Sequence, residues 1–306
     1  MELRHIRYFL AVAEEKNFTR AAERLMIAQP PLSRQIRDLE EELGAPLFLR
    51  EHHALQLTEA GQLFQQYARQ IAALAEKSAE QVRAMERGLN GTLYLATVEG
   101  HAPHLISRWV ADFHKRHPAV EFEIWNGNSD DVCLRVSRGL ADLGVITAPY
   151  NAEGFHGIPV HTEPWVAMIP PGHPLSQRPG DTVPVRELLP YELIIPSRES
   201  RQQEILDWFA RAGCDAAPTI RFKIAHMLNA YELTEQGVGI AIYPAAAASF
   251  SAGSGVTVKR LVEPSHMAEY ILIRSASHPS GEVAAAFMAH VRESLASSAP
   301  ADPDAG

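Results

Sequence analysis

The chain is poor in the residues that usually announce chemistry. It has two cysteines in 306 residues, Cys133 and Cys214, with no CxxC and no Cys/His spacing of a zinc module. That excludes a disulfide scaffold and leaves two ordinary reduced thiols. No apolar run approaches the ~18 residues of a membrane span. The start, MELRHIRYFL, lacks the basic stretch, apolar stretch and small-residue cleavage site of an export signal. A cytoplasmic protein without membrane contact is expected. Positive charge is also short: 28 Lys and Arg stand against 37 Asp and Glu, a net charge of −9. This argues against coating nucleic acid non-specifically, while leaving room for a local DNA-binding face. GxSxG, Walker A, GxGxxG and HExxH are missing, so the common hydrolase, nucleotide and metalloprotease signatures give no support to an enzyme. No cofactor is expected.

What is present is a globular composition, 46% hydrophobic and 21% charged, with length enough for two or more domains. Leu3, Ile6, Phe9, Leu10 and Val12 approximate helical spacing. Thr19 is a plausible N-cap for RAAERL, whose Ala21, Ala22 and Leu25 make a close-packing face. MIAQ breaks the pattern. Pro30 and Pro31 then open a third helix, where a missing N–H has no intrahelical partner anyway. Ile36, Leu39 and Leu43 are expected to point inward and Gly44 to end the helix. Two short helices joined by a tight turn, the second starting polar and basic, make a helix-turn-helix pattern. A recognition helix offers its first residues to the major groove. Ser33, Arg34 and Arg37 lie there, and Thr19 and Arg20 start the preceding helix. Asp38, Glu40, Glu41 and Glu42 should face away from phosphate. APLFLREHHALQLTEAG reads as two short strands around a polar tip, a wing that would bring Arg50, His52 and His53 near phosphates.

From Glu59 to Arg87 a long helix is expected. Phe64, Tyr67, Ile71, Leu74, Ser78 and Met85 lie on heptad-like spacing, with Val82 just off it. A dimer seam fits this spacing; a helix packed on its own domain is the alternative. RGLNG is a break, after which strands and helices alternate. Candidate strands are TLYLATV, VEFEIWN, DLGVIT, WVAMIP, YELIIPS, TIRFKI, VGIAIYP and EYILIRS, with helical patterns at Leu105 to His114 and Gln202 to Ala212. This is α/β with largely parallel sheets, long enough for two small lobes. The tail SSAPADPDAG has a disordered composition. Ligands of such domains bind outside the carboxyl ends of strands, near helix N-termini that favour anions. TVEGHAP, NGNSDD, PSRESR and KIAHML are the junctions that qualify, the last with His226 at a helix start. Glu99 would repel a carboxylate there, whereas Arg198, His226 and His101 would attract one. HAPH and HKRH space His101/His104 and His114/His117 by three. Four histidines could bind zinc, so a metal-responsive regulator, or less readily a metal-dependent enzyme, is the alternative reading.

The stretch ELRHIRYFLAVAEEKNFTRAAERLMIAQPPLSRQIRDLEEELGAPLFLR, with the later LTEAG, closely resembles the winged helix-turn-helix of LysR-type transcriptional regulators. AQPPLSRQI and the opening ELRHIRYFLAVAEE are most like the branch of benzoate, catechol and acetoin regulators such as BenM, CatM and AlsR. GTLYLA, HPAVEFEIWNGN, GLADLGVIT and LTEQGVGIAIYP follow the family's later organisation. The resemblance implies a winged helix-turn-helix over 1–58, a linker and dimerisation helix over 59–89, and a two-lobe effector domain like periplasmic binding proteins over 90–297. Lobe I would take about 90–161 and 267–297, lobe II about 162–266, and 298–306 would be a disordered tail. It further implies a tetramer on promoter DNA, a small organic acid or aromatic metabolite as effector, and RNA polymerase as a possible partner. Gln29, Pro30, Ser33 and Arg34 match the recognition-helix motif and Arg50 the wing. Gly100 falls where relatives carry an effector-contacting hydroxyl and Ser129 at a second such place. Asn128, Ser197, Arg198 and His226, with Glu99 and His101, complete the expected effector site; Ser129 and Ser197 could instead be helix caps.

Relatives often carry more Arg or Lys where this wing has EHHA. Histidine charges as pH falls toward 6, so DNA affinity is expected to rise between pH 8 and pH 6. A titration comparing the parent with the His52→Ala/His53→Ala double variant checks this; equal affinity of the parent at both pH values removes the idea.

Overall fold

The computed structural model describes residues 1–51, 54–84, 89–251, 253, 255–278 and 280–298. His52 and His53 of the wing tip, Met85, Arg87 and Gly88, and tail residues 299–306 lie outside these. The chain divides into two compact units, Met1–Gly88 and Leu89–Gly306.

The first unit packs α1 (Leu3–Glu15), α2 (Phe18–Arg24) and α3 (Gln29–Leu43) against the start of a long helix, with a two-stranded wing between α3 and that helix. The cap of α2 is Asn17 rather than Thr19: its side chain accepts from the N–H groups of Thr19 and Arg20. Asn17 holds the extended backbone a cap needs, and Thr19 already lies inside the helix. The break before α3 uses a left-handed non-glycine residue, Met26 at φ 54, with Ile27 N–H returning to the Ala22 carbonyl at 3.0 Å. Pro30 and Pro31 sit in the first turn of α3, and Gly44 closes it at φ 68. Ile36 and Leu39 point inward as expected, but Leu43 is 40% exposed, and Leu32 takes the buried place one turn before Ile36.

The wing strands are β1 (Phe48–Glu51) and β2 (Ala54–Leu57), antiparallel with Arg50 opposite Leu55. Phe9 centres this unit. It is fully buried, and its ring lies 5.3 Å from Phe48 and 4.8 Å from Phe64. The LTEAG segment has a physical logic. The Thr58 hydroxyl accepts from Gly61 N–H at 2.8 Å, capping α4 (Glu59–Ala84). A Cβ on Gly61 would stand 2.1 Å from the Leu47 carbonyl oxygen, so only glycine allows that approach. On α4, Phe64 packs into the core, whereas Leu63, Tyr67, Ile71 and Leu74 are exposed.

The second unit begins with β3 (Gly91–Thr97), α5 (Ala102–Arg116), β4 (Val120–Asn126), α6 (Ser129–Ser137) and β5 (Leu143–Thr147). β3 pairs in parallel with both β4 and β5. Then β6 (Phe155–Ile169) leads through β7 (Thr182–Pro184) to β8 (Glu192–Pro196), α7 (Glu199–Arg211), β9 (Thr219–Ile224), α8 (Met227–Glu235) and β10 (Ile240–Pro244). β8 is parallel to β9 and β10. The chain returns through β11 (Thr257–Val262) and β12 (Met267–Ser275) and ends in α9 (Glu282–Ser298). β6 serves both halves. Phe155 to Pro164 pair with β12, which is antiparallel to β5; Trp165 to Ile169 pair with β10 and β11. Alternate residues of β6 feed different cores, Trp165, Ala167 and Ile169 one and Val166 and Met168 the other. Both faces are covered, which is why WVAMI and IAIY read as unbroken apolar runs.

The eight expected strands are present, but the first ten residues of β6 and all of β7 and β11 go beyond the sequence reading. Pro159 and Pro164 suppress a strand signal in β6. The structure accommodates Pro159 beside a register shift between Tyr270 and Ile271 of the partner strand. In β11 the charged look of Lys259 misleads: the residue is 2% exposed and donates to the carbonyls of Arg178 and Gly180.

Replacing Phe9 by Ala should cost the first unit about 3–5 kcal/mol, the range for emptying a buried aromatic site. Urea unfolding should show the transition of that unit shifting while the second unit keeps its midpoint; a shift below ~1 kcal/mol would contradict the central place of this ring.

Candidate functional site

Two surfaces carry the candidate residues. On the first unit, Arg34 and Arg37 project from α3 and are exposed. Neither has an ion-pair partner among the described residues. Pro30 is exposed beside them, and Gln29 Nε2 donates to Ser33 Oγ at 2.6 Å, holding both side chains at the helix start. Thr19 and Arg20 are exposed on α2, but Arg20 is engaged by Glu15, donating to its carbonyl oxygen. Acidic residues of α3 are used inside the unit. Glu40 accepts from the N–H groups of Leu47 and Phe48 at 2.7 and 3.1 Å, and Glu42 holds the terminal amine. The face left for an anion is therefore Arg34 and Arg37 with the polar start of α3. Of the wing residues, Arg50 lies on β1, and His52 and His53 are outside the described residues.

In the second unit a cavity of about 350 Å³ opens at the carboxyl ends of β3, β4 and β8. Glu99, Asn128, Ser129, Ser197, Arg198 and His226, drawn from the four junctions singled out in the sequence, all line it. Their roles differ from a ring of free ligand contacts. Asn128, not Ser129, caps α6, accepting from the N–H groups of Asp130 and Asp131. Ser129 is 2% exposed and its hydroxyl ties to Thr147, accepting from its N–H at 3.1 Å. Ser197 does not cap α7 either; Arg198 occupies that position without a side-chain cap.

Arg198 is committed across the cleft. Its Nη2 and Nε donate to the two oxygens of Asp130 at 2.7 and 3.0 Å. Glu99 answers from the other direction: one oxygen meets His226 Nδ1 at 2.7 Å and the other accepts from Met227 N–H at 2.8 Å, so a carboxylate of the protein itself sits on the N-terminus of α8. The expected attraction of a ligand by Arg198 and His226 is thus already satisfied internally.

Gly100 and His101 do not line the cavity. Gly100 has φ +85, and a Cβ there would meet the Tyr270 hydroxyl at 2.4 Å. The space expected from a lost hydroxyl is filled by that of Tyr270. The His101 ring instead stacks on His161, centroids 3.8 Å apart. The four-histidine zinc set does not assemble: His101 and His104 stand at the start of α5 and His114 and His117 at its end, about 20 Å apart by helix rise. Both cysteines are free, and burial pushes the Cys133 thiol up to about 11, away from reactivity.

The residue that sequence reasoning missed is Arg201. It lines the cavity at 4% exposure, Nη1 pairs with Glu204, and the guanidinium carbon lies 5.1 Å from the Trp165 ring centroid. Its Nη2 is buried with no hydrogen-bond partner, as is Nε1 of the cavity-lining Trp165. Burial pulls the guanidinium below its usual value and Glu204 opposes that, but an arginine stays charged in proteins. A buried, half-satisfied cation is costly unless something accepts from it. Apolar and aromatic walls, among them Val98, Trp125, Trp165 and Tyr243, complete the cavity. Only the spacing of Arg201 one turn after Arg198 hinted at it.

Residues 3–62 match the family model described as bacterial regulatory helix-turn-helix protein, lysR family, and residues 86–296 match the LysR substrate binding domain. The chain is 34% identical over 253 residues to the HTH-type transcriptional regulator BudR of Raoultella terrigena, covering 80% of this chain and 84% of that one. It is 29% identical over 259 residues to the HTH-type transcriptional regulator BenM of Acinetobacter baylyi, covering 81% and 82%. The crystal structure of full-length CbnR complexed with its target DNA aligns with a TM-score of 0.76 at 28% identity, covering 96% of this chain and 100% of that one.

Arg34→Ala and Arg37→Ala should each weaken binding to the DNA upstream of the protein's own gene. A side chain that reads a base loses about 1–3 kcal/mol against that fragment but little against scrambled DNA; one that meets phosphate weakens both and lowers the salt slope by about one. Titrations at two salt concentrations separate the cases, and unchanged affinity in both variants would remove α3 from the interface.

Proposed function

The chain belongs to the LysR family, as a DNA-binding transcriptional regulator with an effector-binding domain, and from that premise we propose the following working cycle. The protein acts in the cytoplasm on promoter DNA. The start of α3, with Gln29, Pro30, Ser33, Arg34 and Arg37, enters the major groove; Thr19, Arg20, Arg50, His52 and His53 contact the backbone. Residues 1–58 form this reading head and 59–89 the linker. The exposed apolar row Leu63, Tyr67, Ile71 and Leu74 on α4 is the dimer seam, and two dimers make a tetramer that meets RNA polymerase. Lobe I is formed by 90–161 and 267–297 and lobe II by 162–266, with the cavity between them as effector site.

The effector is a small carboxylic acid with a flat or apolar body. One observation carries this reading: the unpartnered Nη2 of buried Arg201 in a cavity that also has Trp125, Trp165, Tyr243 and Tyr270 in its walls. A carboxylate supplies the missing acceptor as a charge-assisted hydrogen bond, and the aromatic walls take the body. Glu99, held on α8, leaves the opposite end suited to a hydroxyl or other donor.

Thermal unfolding of the full chain with a panel of small carboxylates, each paired with its neutral amide, tests this. At least one acid should raise Tm where its amide does not, and Arg201→Gln should abolish the shift while leaving DNA binding without effector intact. Acids and amides that behave alike, or an unchanged shift in Arg201→Gln, would overturn the assignment of Arg201.

A further inference from the structure

A second cluster lies one hydroxyl group away from the cavity. His101, just before α5, and His161 and Glu163, on β6, gather around Tyr270. None of the three lines the cavity, although Tyr270 does. Glu163 is 6% exposed; one oxygen accepts from the Tyr270 hydroxyl at 2.5 Å and the other from Ala246 N–H at 2.8 Å. Among the described residues its donors are all neutral, so the buried carboxyl has no cation as hydrogen-bond partner there. The two imidazoles are half-buried, and among the described residues their ring nitrogens have no hydrogen-bond partner.

We propose that His101, His161 and Glu163 form a three-ligand site for a divalent transition metal of the zinc class. Their ligand atoms all lie within 4.8 Å of one another. Zinc bonds of about 2.0–2.2 Å at tetrahedral angles place ligand atoms roughly 3.4 Å apart, so the site needs a closure of up to about 1.4 Å. The imidazoles are stacked, with 14° between their planes. One ring must therefore turn about its side-chain bonds until both nitrogens face the carboxylate, and partial exposure leaves room for that turn. Two imidazoles and one carboxylate suit zinc, cobalt, nickel or copper rather than calcium or magnesium, which prefer all-oxygen sites. Three protein ligands leave a fourth position for water or a ligand oxygen.

Burial, with His161, His104 and Arg108 adding, pushes His101 down to about 4, and burial with His104 lowers His161. Burial pushes the Glu163 carboxyl up, opposed by its bonds from Tyr270 and Ala246.

The test uses the untagged full chain, stripped with chelator and titrated with Co²⁺ at pH 7. Visible ligand-field bands should saturate at one metal per chain and vanish when Zn²⁺ is added. His101→Gln and His161→Gln should each weaken binding by at least about tenfold, the loss expected even for the outer partners of a metal site. His114→Gln, at the other end of α5, should leave it unchanged. Circular dichroism confirms that the variants fold. A measurement on the parent alone guards against misfolding: Zn²⁺ should protect His101 and His161, but not His114, from diethyl pyrocarbonate, read by peptide mass spectrometry. Absence of bands, bands that survive in both histidine variants, or lack of protection would overturn the site and show that the rings only stack. Because this metal site shares no ligand with the Arg201 cavity, its failure leaves the carboxylate reading standing, and the reverse holds as well.

Discussion

One strand, Phe155–Ile169, makes hydrogen bonds in both halves of the second unit, and the arrangement of the cleft depends on it. A strand that changes partners midway must satisfy its backbone groups continuously while its neighbours diverge. It does so by passing from β12 to β10 and β11 at Pro164 and Trp165, with Trp165 N–H donating to the His266 carbonyl at the changeover. The residues at this point are the ones with unusual chemistry. Trp165 lies beside Arg201, and Glu163 receives Tyr270. The strand thus sets Trp165, which packs against the buried Arg201 of α7, two residues from the buried Glu163.

The cleft is closed by the protein's own charges. Arg198 with Asp130 and Glu99 with the start of α8 each join sequence segments from different halves. Such partly exposed pairs contribute on the order of 1 kcal/mol or less. Arg201 is different because it is buried and incompletely satisfied, so it favours a bound acceptor rather than rearrangement of the existing pairs.

In the first unit the reading helix is positioned by packing and by two local solutions to turn geometry. Asn17 caps α2, and Met26 accepts a left-handed backbone that most residues avoid. Gly61 lets α4 approach Leu47 more closely than any side chain would allow. These fix the orientation of α3, whose exposed Arg34 and Arg37 have no ion-pair partner among the described residues.

The sequence by itself determined the elements whose signal is local. Proline at the start of α3, Gly44 at its end, the apolar periodicity of α1 and the unbroken runs of β8 and β10 all act within a few residues, so spacing alone reveals them. It also placed the four strand-to-helix junctions that line the cavity, because a junction's composition is local too. Tertiary structure decided the rest. It spent Arg198 and Glu99 on partners 68 and 127 or more residues away, filled the space beside Gly100 with Tyr270, turned His101 toward His161, and left Arg201 with a free donor. Whether a polar group is available depends on which distant groups already satisfy it, and that accounting exists only once the chain has closed on itself.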